Sequence, residues 1–310
     1  MSTVKEKYGF VPTSVLHFGK TKNLTRGFLG NQEWRKENTD NSSSSSMSEF
    51  NPDLCKFIIE YWSNTNDLII DPYHGWGTRA VMSKQLKRNY KGFDISKETN
   101  TDVKKMLDTN REQAKWFSNE TVNIQVIHGD GVKLEGIESD SADLVFSCPP
   151  YFNIEKYESC EGQLSDINNY SLFMDLMLKA AKRQLEVLKE NKYVVMVVGD
   201  WRVDGELLMF SKDMVDTYIK AGFIVHDFVI HKLNSAAIVG CGNFDDKNFV
   251  TKSHEYVLVF KKVTDKKSIN TMSNVTKEQT TLKDDFSSLR KEFPGIPDSS
   301  LKKIMEQREE

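Results

Sequence analysis

Strand and helix patterns alternate along residues 48–262, and that alternation predicts an α/β fold with a mostly parallel sheet and helices on both faces. Two further observations support it. Acidic residues recur where successive strand patterns run out, at Asp71, Asp94 and Asp130. The last two strand patterns have no helix-length segment between them, so they are expected to pair as an antiparallel ribbon at one edge.

The elements follow in order. "NPDLCKFIIEYWS" has the spacing of an amphipathic helix, and "DLIID" (67–71) is a short apolar strand. "TRAVMSKQLK" continues as a helix, "NYKGFDIS" is a strand ending at Asp94, and a polar helix covers roughly 97–116. "NIQVIHGDG" is a strand ending near Asp130, and "ADLVFSCPP" is the fourth strand. "NYSLFMDLMLKAAKRQLEVLK" is a long helix, "KYVVMVVGD" the fifth strand, and "LLMFSKDMVDTYIKAGF" another helix. "IVHDFVIHKL" and "SHEYVLVFKK" are the closing ribbon. Residues 1–47 form a polar extension, partly flexible through "NSSSSSM", and residues 263–310 form a charged tail, partly helical or disordered.

Composition narrows the function classes. Of 310 residues, 38 % are hydrophobic, enough for a substantial core. The formal net charge is −3, so a nucleic-acid partner needs a local basic face. Cys55, Cys148, Cys160 and Cys241 show no CxxC pairing, and no apolar leader precedes a small-residue cleavage site. A reduced, cytoplasmic setting is therefore expected. No apolar run has membrane-spanning length. His74, His226, His231 and His254 lack metal-ligand spacing, so no structural metal is expected.

In open α/β sheets, ligands sit beyond the carboxyl ends of the strands. Asp71 opens "DPYHGWGT", where Gly75 and Gly77 permit a tight bend into the start of a helix. Such a loop suits a small-molecule cradle, and equally an ordinary βα turn. It is not a P-loop, and it departs from GxGxxG. Asp94, at the next strand end, suits the two hydroxyls of a ribose, and Asp130 suits an adenine amino group. Each alone also suits a cap or a turn.

"SEFNPDL", "DPYHGWGTRA", "GFDIS", "HGDG" and "SCPPYF" resemble, in order, the motif series of S-adenosylmethionine-dependent DNA amino-methyltransferases. More narrowly, "GFVPTSVL", "SCPPYFNIEKY", "VVGDWR" and "HEYVLVFKK" resemble DNA methylases often carried by phages; the likeness covers roughly residues 8–262. The resemblance implies a Rossmann-like class I methyltransferase sheet. It also implies S-adenosylmethionine as cofactor, and cytosine N4 or adenine N6 of DNA as methyl acceptor, turned out of the duplex. By position, Phe50 would line the methionine end of the cofactor. Asp71, Gly75 and Gly77, with Pro72 and Thr78 of the same loop, would wrap the methionine moiety. Asp94 would hold the ribose, and Asp130 with Gly131 the adenine. A homodimer is an open option.

In the family, the first side chain of the catalytic motif and the first proline's carbonyl accept the two hydrogens of the target amine. Pro149 would supply that carbonyl, Pro150 rigidity, and Tyr151 or Phe152 a stacking face. Cys148 departs from the family's Asp, Asn or Ser, and a thiol is a weak acceptor. Cys148 could accept poorly, Ser147 could take over the polar role, Cys148 could attack a pyrimidine carbon toward C5 chemistry, or it could simply pack. RNA as substrate, and a cofactor-binding DNA-binding module with little turnover, are the competing readings.

DNA contact is expected from loops 151–170 and 234–252. Arg202 suits a phosphate or an ion pair with Asp200 or Asp204. Lys20, Lys22, Arg26, Arg35 and Lys36, interleaved with Phe28 and Trp34, suit either a nucleic-acid strand or a solvated extension. Trp62 and Trp76 read as core or pocket wall.

Overall fold

The computed structural model describes residues 11–18, 50–113, 122–152, 164–203, 205–233, 250 and 252–263. The basic-aromatic N-terminal stretch, the serine run, Cys160, Cys241, residues 153–163 and 234–249 of the two expected DNA loops, and the tail from 264 lie outside these. The described elements belong to a unit spanning Met1–Lys262. None of its described helices is long and apolar enough to cross a membrane.

Eight strands form one sheet: β1 (Val15–Leu16), β2 (Leu68–Asp71), β3 (Asn89–Asp94), β4 (Ile124–His128), β5 (Ala142–Ser147), β6 (Leu188–Val198), β9 (Ile224–Lys232) and β10 (His254–Lys261). A separate hairpin comprises β7 (Trp201–Val203) and β8 (Glu206–Leu208). The helices are α1 (Pro52–Trp62), α2 (Thr78–Gln85), α3 (Lys97–Gln113), α4 (Tyr170–Val187) and α5 (Phe210–Ala221). Sheet order is β1-β9-β10-β6-β5-β2-β3-β4. β4, β3, β2, β5 and β6 run parallel, and β10 is antiparallel to both β6 and β9. This is the expected mostly parallel, Rossmann-like sheet with an antiparallel ribbon.

The central strands are apolar along their whole length because both faces are covered. Every residue of β5 is buried. Alternate side chains divide between two layers: Leu144, Phe146, Val195, Val197, Val257 and Val259 pack with α1 and α2 residues such as Leu54, Ile58 and Val81. Val145, Val194, Met196, Val198, Leu258 and Phe260 pack on the other face with Phe173, Met177 and Tyr218 of α4 and α5. Tyr218 stacks on Phe260 with ring centres 4.2 Å apart.

Local chemistry sets the helix starts. Asn51 caps α1 by accepting from Asp53 and Leu54 amides at 2.9 and 3.0 Å, with Pro52 next. Asn169 caps α4 by accepting from the Leu172 amide at 3.0 Å. α5 has no side-chain cap of its own. Asp200, eleven residues earlier in sequence, accepts from the Ser211 amide at 2.8 Å and its hydroxyl at 3.1 Å. Asp200 is thereby committed to α5, and Arg202 Nη1 donates to the Gly205 carbonyl at 2.8 Å.

Three features differ from the sequence expectation. The N-terminal extension contributes β1, which pairs parallel with β9 and covers the sheet edge. α4 passes into β6 at Leu188 without a loop. Leu207 and Leu208, read as the start of α5, instead belong to β8 of the β7–β8 hairpin.

At the amino end of β5, Asp143 ties three strands together. It accepts from Lys189 at 2.8 Å and from the Leu68 amide at 3.0 Å, with Lys192 at 3.3 Å. Burial raises its pKa, but the lysines and that amide outweigh burial and leave it below the ordinary carboxylate value. Its stabilising contribution is therefore fully present above the unfolded-state pKa of about 3.9 and is lost as pH falls through the depressed folded value. The stability gap between wild type and Asp143→Asn should be constant near neutrality and close below about pH 4, read by urea denaturation across pH.

Candidate active site

The chain proceeds from β2 to β3 and β4 on one side, then returns to place β5 on the other side of β2. The crevice of such a sheet opens at that reversal, beyond the carboxyl ends of β2 and β5. Asp71 and Ser147 end those two strands, and they touch: Ser147 Oγ donates to Asp71 Oδ1 at 2.6 Å. The glycine loop and the Cys-Pro-Pro corner therefore leave from one point.

Asp71 is fully buried. Beyond Ser147, its carboxylate accepts from Arg79 Nε at 2.6 Å, Tyr90 Oη at 2.6 Å and the Tyr73 amide at 3.2 Å. Burial pulls the Arg79 guanidinium down, yet Asp71 beside it holds it above its ordinary value. Arg79 Nη2 also donates to the Tyr73 carbonyl at 2.6 Å. Its guanidinium lies over the Phe50 ring, 5.1 Å from the centroid. Four donors occupy the Asp71 carboxylate, so this residue braces the loop from beneath. The carboxylate expected at the methionine end of the cofactor is here buried and engaged by protein groups.

Ser147 belongs to the same buried network. It is fully buried, donates to Asp71, and accepts from the Tyr73 amide at 3.1 Å. It cannot stand in for Cys148 as the polar group at the corner. Cys148 follows it, half-buried, with Pro149 buried and Pro150 half-buried.

The loop bends where it must. Gly75 and Gly77 have φ of +50° and +76°. A Cβ on Gly77 would lie 2.6 Å from Val103, whereas one on Gly75 would meet nothing within 4 Å. Thr78 is the first residue of α2 and is buried. His74 ring nitrogens lie 2.8 Å from the Gly75 carbonyl and 3.0 Å from Asn100 Oδ1, which pins the loop to α3. Asp94 accepts from the Ser96 amide at 2.9 Å and the Gly75 amide at 3.2 Å, and remains partly exposed. Burial, only partly offset by His74 and these amides, raises its pKa.

Asp130 Oδ1 accepts from the Val132 amide at 2.8 Å, forming a turn. Gly131 presses on the loop: a Cβ there would sit 1.9 Å from the Pro72 carbonyl oxygen. Pro72, Gly75, Asp94 and Gly131 are thus linked around the loop after β2, with Phe50 against Arg79 beside it.

The two aromatic residues after the prolines part company. Phe152 packs edge-on against Tyr170 and tilted on Phe173, with ring centres 5.3 and 5.6 Å away, as core wall. Tyr151 meets Trp201 of β7 at 5.3 Å, edge to face. Sequence reasoning overlooked Arg79, Tyr90 and Trp201. A basic residue eight positions after Asp71, in the first turn of the following helix, was the available signal for Arg79, and the "VVGDWR" motif that for Trp201; Tyr90 gave none.

The family model described as DNA methylase, of the N6/N4 methyltransferase type, matches residues 13–105 and 142–303. The chain belongs to that family. The match runs past Lys262, further than the motif resemblance. The chain is similar to the type II methyltransferase M.MjaI of Methanocaldococcus jannaschii, 26 % identical over 171 residues, covering 46 % of this chain and 56 % of that protein. It is also similar to the type II methyltransferase M1.MboII of Moraxella bovis, 46 % identical over 46 residues, 15 % and 18 % of the respective lengths. The chain therefore spans little more than half of the first relative and a smaller share of the second. Among solved structures, TrmN from Thermus thermophilus matches with a TM-score of 0.47 at 12 % identity, covering 71 % of this chain and 51 % of that one.

Replacing Asp71 by Asn leaves a buried Arg79 charge without its partner, a change worth about 3–5 kcal/mol. Urea denaturation should show a loss of that order; a loss under about 1 kcal/mol would refute the bracing role.

Proposed function

We propose that the chain is an S-adenosylmethionine-dependent methyltransferase acting on an exocyclic amino group, cytosine N4 or adenine N6, of a base flipped out of DNA. The observation that carries this reading is the Asp71–Ser147 contact, which joins the glycine loop and the Cys-Pro-Pro-Tyr corner in one crevice. Membership of the DNA methylase family supports it, and the type II methyltransferase names of its relatives agree with it.

The crevice fits the cofactor. Space over Gly75 that a Cβ would otherwise fill provides a cradle beside partly exposed Asp94. Gly75, Gly77 and Thr78 would line the methionine part, with Phe50 near it. Asp94 would accept from the ribose hydroxyls, and Asp130 with Gly131 would border the adenine. When bound, S-adenosylmethionine supplies an electrophilic sulfonium methyl.

The chain's own groups prepare the amine. An exocyclic amine is a poor nucleophile because its lone pair is delocalised into the ring. The Pro149 carbonyl, its direction fixed by the two prolines, would accept one amine hydrogen, and Cys148 the other. Accepting both hydrogens draws the nitrogen toward tetrahedral geometry. Tyr151, backed by Trp201, would be the ring that stacks on the base. Holding the base and the methyl donor in line would supply much of the rate.

Label transfer from tritiated cofactor into DNA, followed by nucleoside mass spectrometry, tests the reading and names the atom; no label in DNA would sink it. Asp94→Ala should weaken cofactor binding about tenfold or more, for two ribose hydrogen bonds, as read by calorimetry. Asp94 also sets a pH dependence. Ribose hydroxyls donate to its ionised form, and its pKa in the free protein is raised, so cofactor affinity should fall as pH drops through that value. Asp94→Asn should lack this fall. Tyr151→Ala should cut turnover about tenfold to a hundredfold with cofactor affinity unchanged; equal turnover would remove the stacking role.

A further inference from the structure

A base turned out of a duplex loses its Watson–Crick partner along one whole edge. The proposed site satisfies the exocyclic amine with two acceptors, Cys148 and the Pro149 carbonyl. The ring nitrogen beside that amine, N1 of adenine or N3 of cytosine, is itself an acceptor, and it needs a donor once buried. Lys252, which lies near Tyr151, is a candidate for such a donor.

Lys252 lies two residues before β10, across from the carboxyl end of β6, on the same sheet edge as Asp71 and Ser147. Its ammonium donates to the Asp200 carbonyl at 2.9 Å, which uses one of three N–H groups. A Cβ built on Gly199 would come 2.2 Å from Lys252 Nζ and 3.4 Å from Tyr151 Oη. The ammonium therefore sits directly over Gly199, beside the ring assigned to stack on the base. Gly199 keeps this place open by lacking a side chain. No carboxylate among the described residues forms an ion pair with Lys252, although its surroundings are half-buried. Burial pulls its pKa down, while Glu255, Asp200 and Cys148 act in the opposite sense, so the thiol corner lies within electrostatic reach.

A half-buried cation anchored by a single backbone carbonyl is costly unless another acceptor arrives. Structural anchoring of β10 alone would not require the ammonium to lie over a glycine next to Tyr151. We propose that Lys252 donates a hydrogen bond to the ring nitrogen adjacent to the exocyclic amine of the flipped target base, fixing the base's rotation in the pocket. The assignment rests on the methyltransferase reading above and adds a base-reading residue to it. A thymine ring presents N3–H at this position, a donor facing a donor, so the same contact would also discriminate against it.

The test is a chemical cycle run on the full chain. Nucleoside mass spectrometry first names the methylated base. Duplexes then carry either that base or its ring-deaza analogue, 1-deazaadenine or 3-deazacytosine, at the target position, and kcat/KM is measured for wild type, Lys252→Met and Lys252→Arg. Lys252→Met should lower kcat/KM for the natural duplex about tenfold to a hundredfold, with melting temperature and cofactor affinity unchanged. The penalty for the deaza analogue should be large in wild type and should shrink about tenfold in Lys252→Met, a non-additivity that a merely structural lysine would not produce. Lys252→Arg, which keeps a donor, should recover part of the loss. Wild-type kcat/KM in Lys252→Met, or a deaza penalty of equal size in both proteins, overturns the assignment while leaving the methyltransferase reading intact. Absence of any transfer by wild type overturns that reading, and the assignment with it.

Discussion

A single buried carboxylate, Asp71, holds the crevice together. Its four donors come from the loop that follows it, from α2, from β3 and from the end of β5. Taking a carboxylate out of water costs far more than one hydrogen bond returns, so it persists only when its oxygens are fully engaged and a countercharge is near. Arg79 supplies the countercharge, and Tyr90, Ser147 and the Tyr73 amide fill the remaining positions. The result is that two strand ends and the helix between them cannot move independently. A shift of the glycine loop would break contacts that also hold the Cys-Pro-Pro corner.

That node works because the sheet beneath it is rigid. β5 is buried along its whole length, and its neighbours β2 and β6 divide their side chains between two apolar layers. Interiors packed this way transmit strain and leave little room for sliding. Asp143 clamps the opposite end of the same strands. The strand whose carboxyl end carries the thiol corner is thus fixed at both ends by carboxylates, one with lysines near solvent and one with an arginine in the interior. Asp200 extends the pattern, since it caps α5 while its carbonyl anchors Lys252.

Much of this was legible in the sequence, for definable reasons. Strands buried on both faces give continuous apolar runs, so β2, β5, β6 and β10 stand out, and Asn51 and Asn169 mark their helix starts locally. Elements without periodicity did not stand out. β1 has two residues, and β7 and β8 have three each, mostly exposed, too short for an alternation to register. The passage from α4 to β6 was displaced because Leu188 suits the end of an apolar helix face and the start of a buried strand equally well. At the site, residue types were readable but partners were not. Asp71 looked like a ligand-facing acid because the contacts that consume it, from Tyr90 and Ser147, lie 19 and 76 residues away. Tyr151 and Phe152 are adjacent aromatics, and only packing shows that one meets Trp201 and Phe210 and the other Tyr170 and Phe173.

The order Ser-Cys-Pro-Pro then acquires a physical sense. On the strand, successive side chains point to opposite sides. Ser147 falls on the side where the Asp71 carboxylate needs a hydroxyl donor, and a thiol there would serve poorly because S–H donates weakly. The next position belongs to the corner itself, half-exposed and adjacent to the rigid prolines. The stronger hydrogen-bonding group is therefore spent on holding two strands together, and the softer one stands at the opening. On the proposed reading, a thiol suffices there because the Pro149 carbonyl is fixed in direction and the base is held by Tyr151 and Lys252. Positioning by several groups then lowers the demand on any single acceptor. The departure at Cys148 is thus a question about how work is divided around the pocket, and the division follows from which side chains the fold has already consumed.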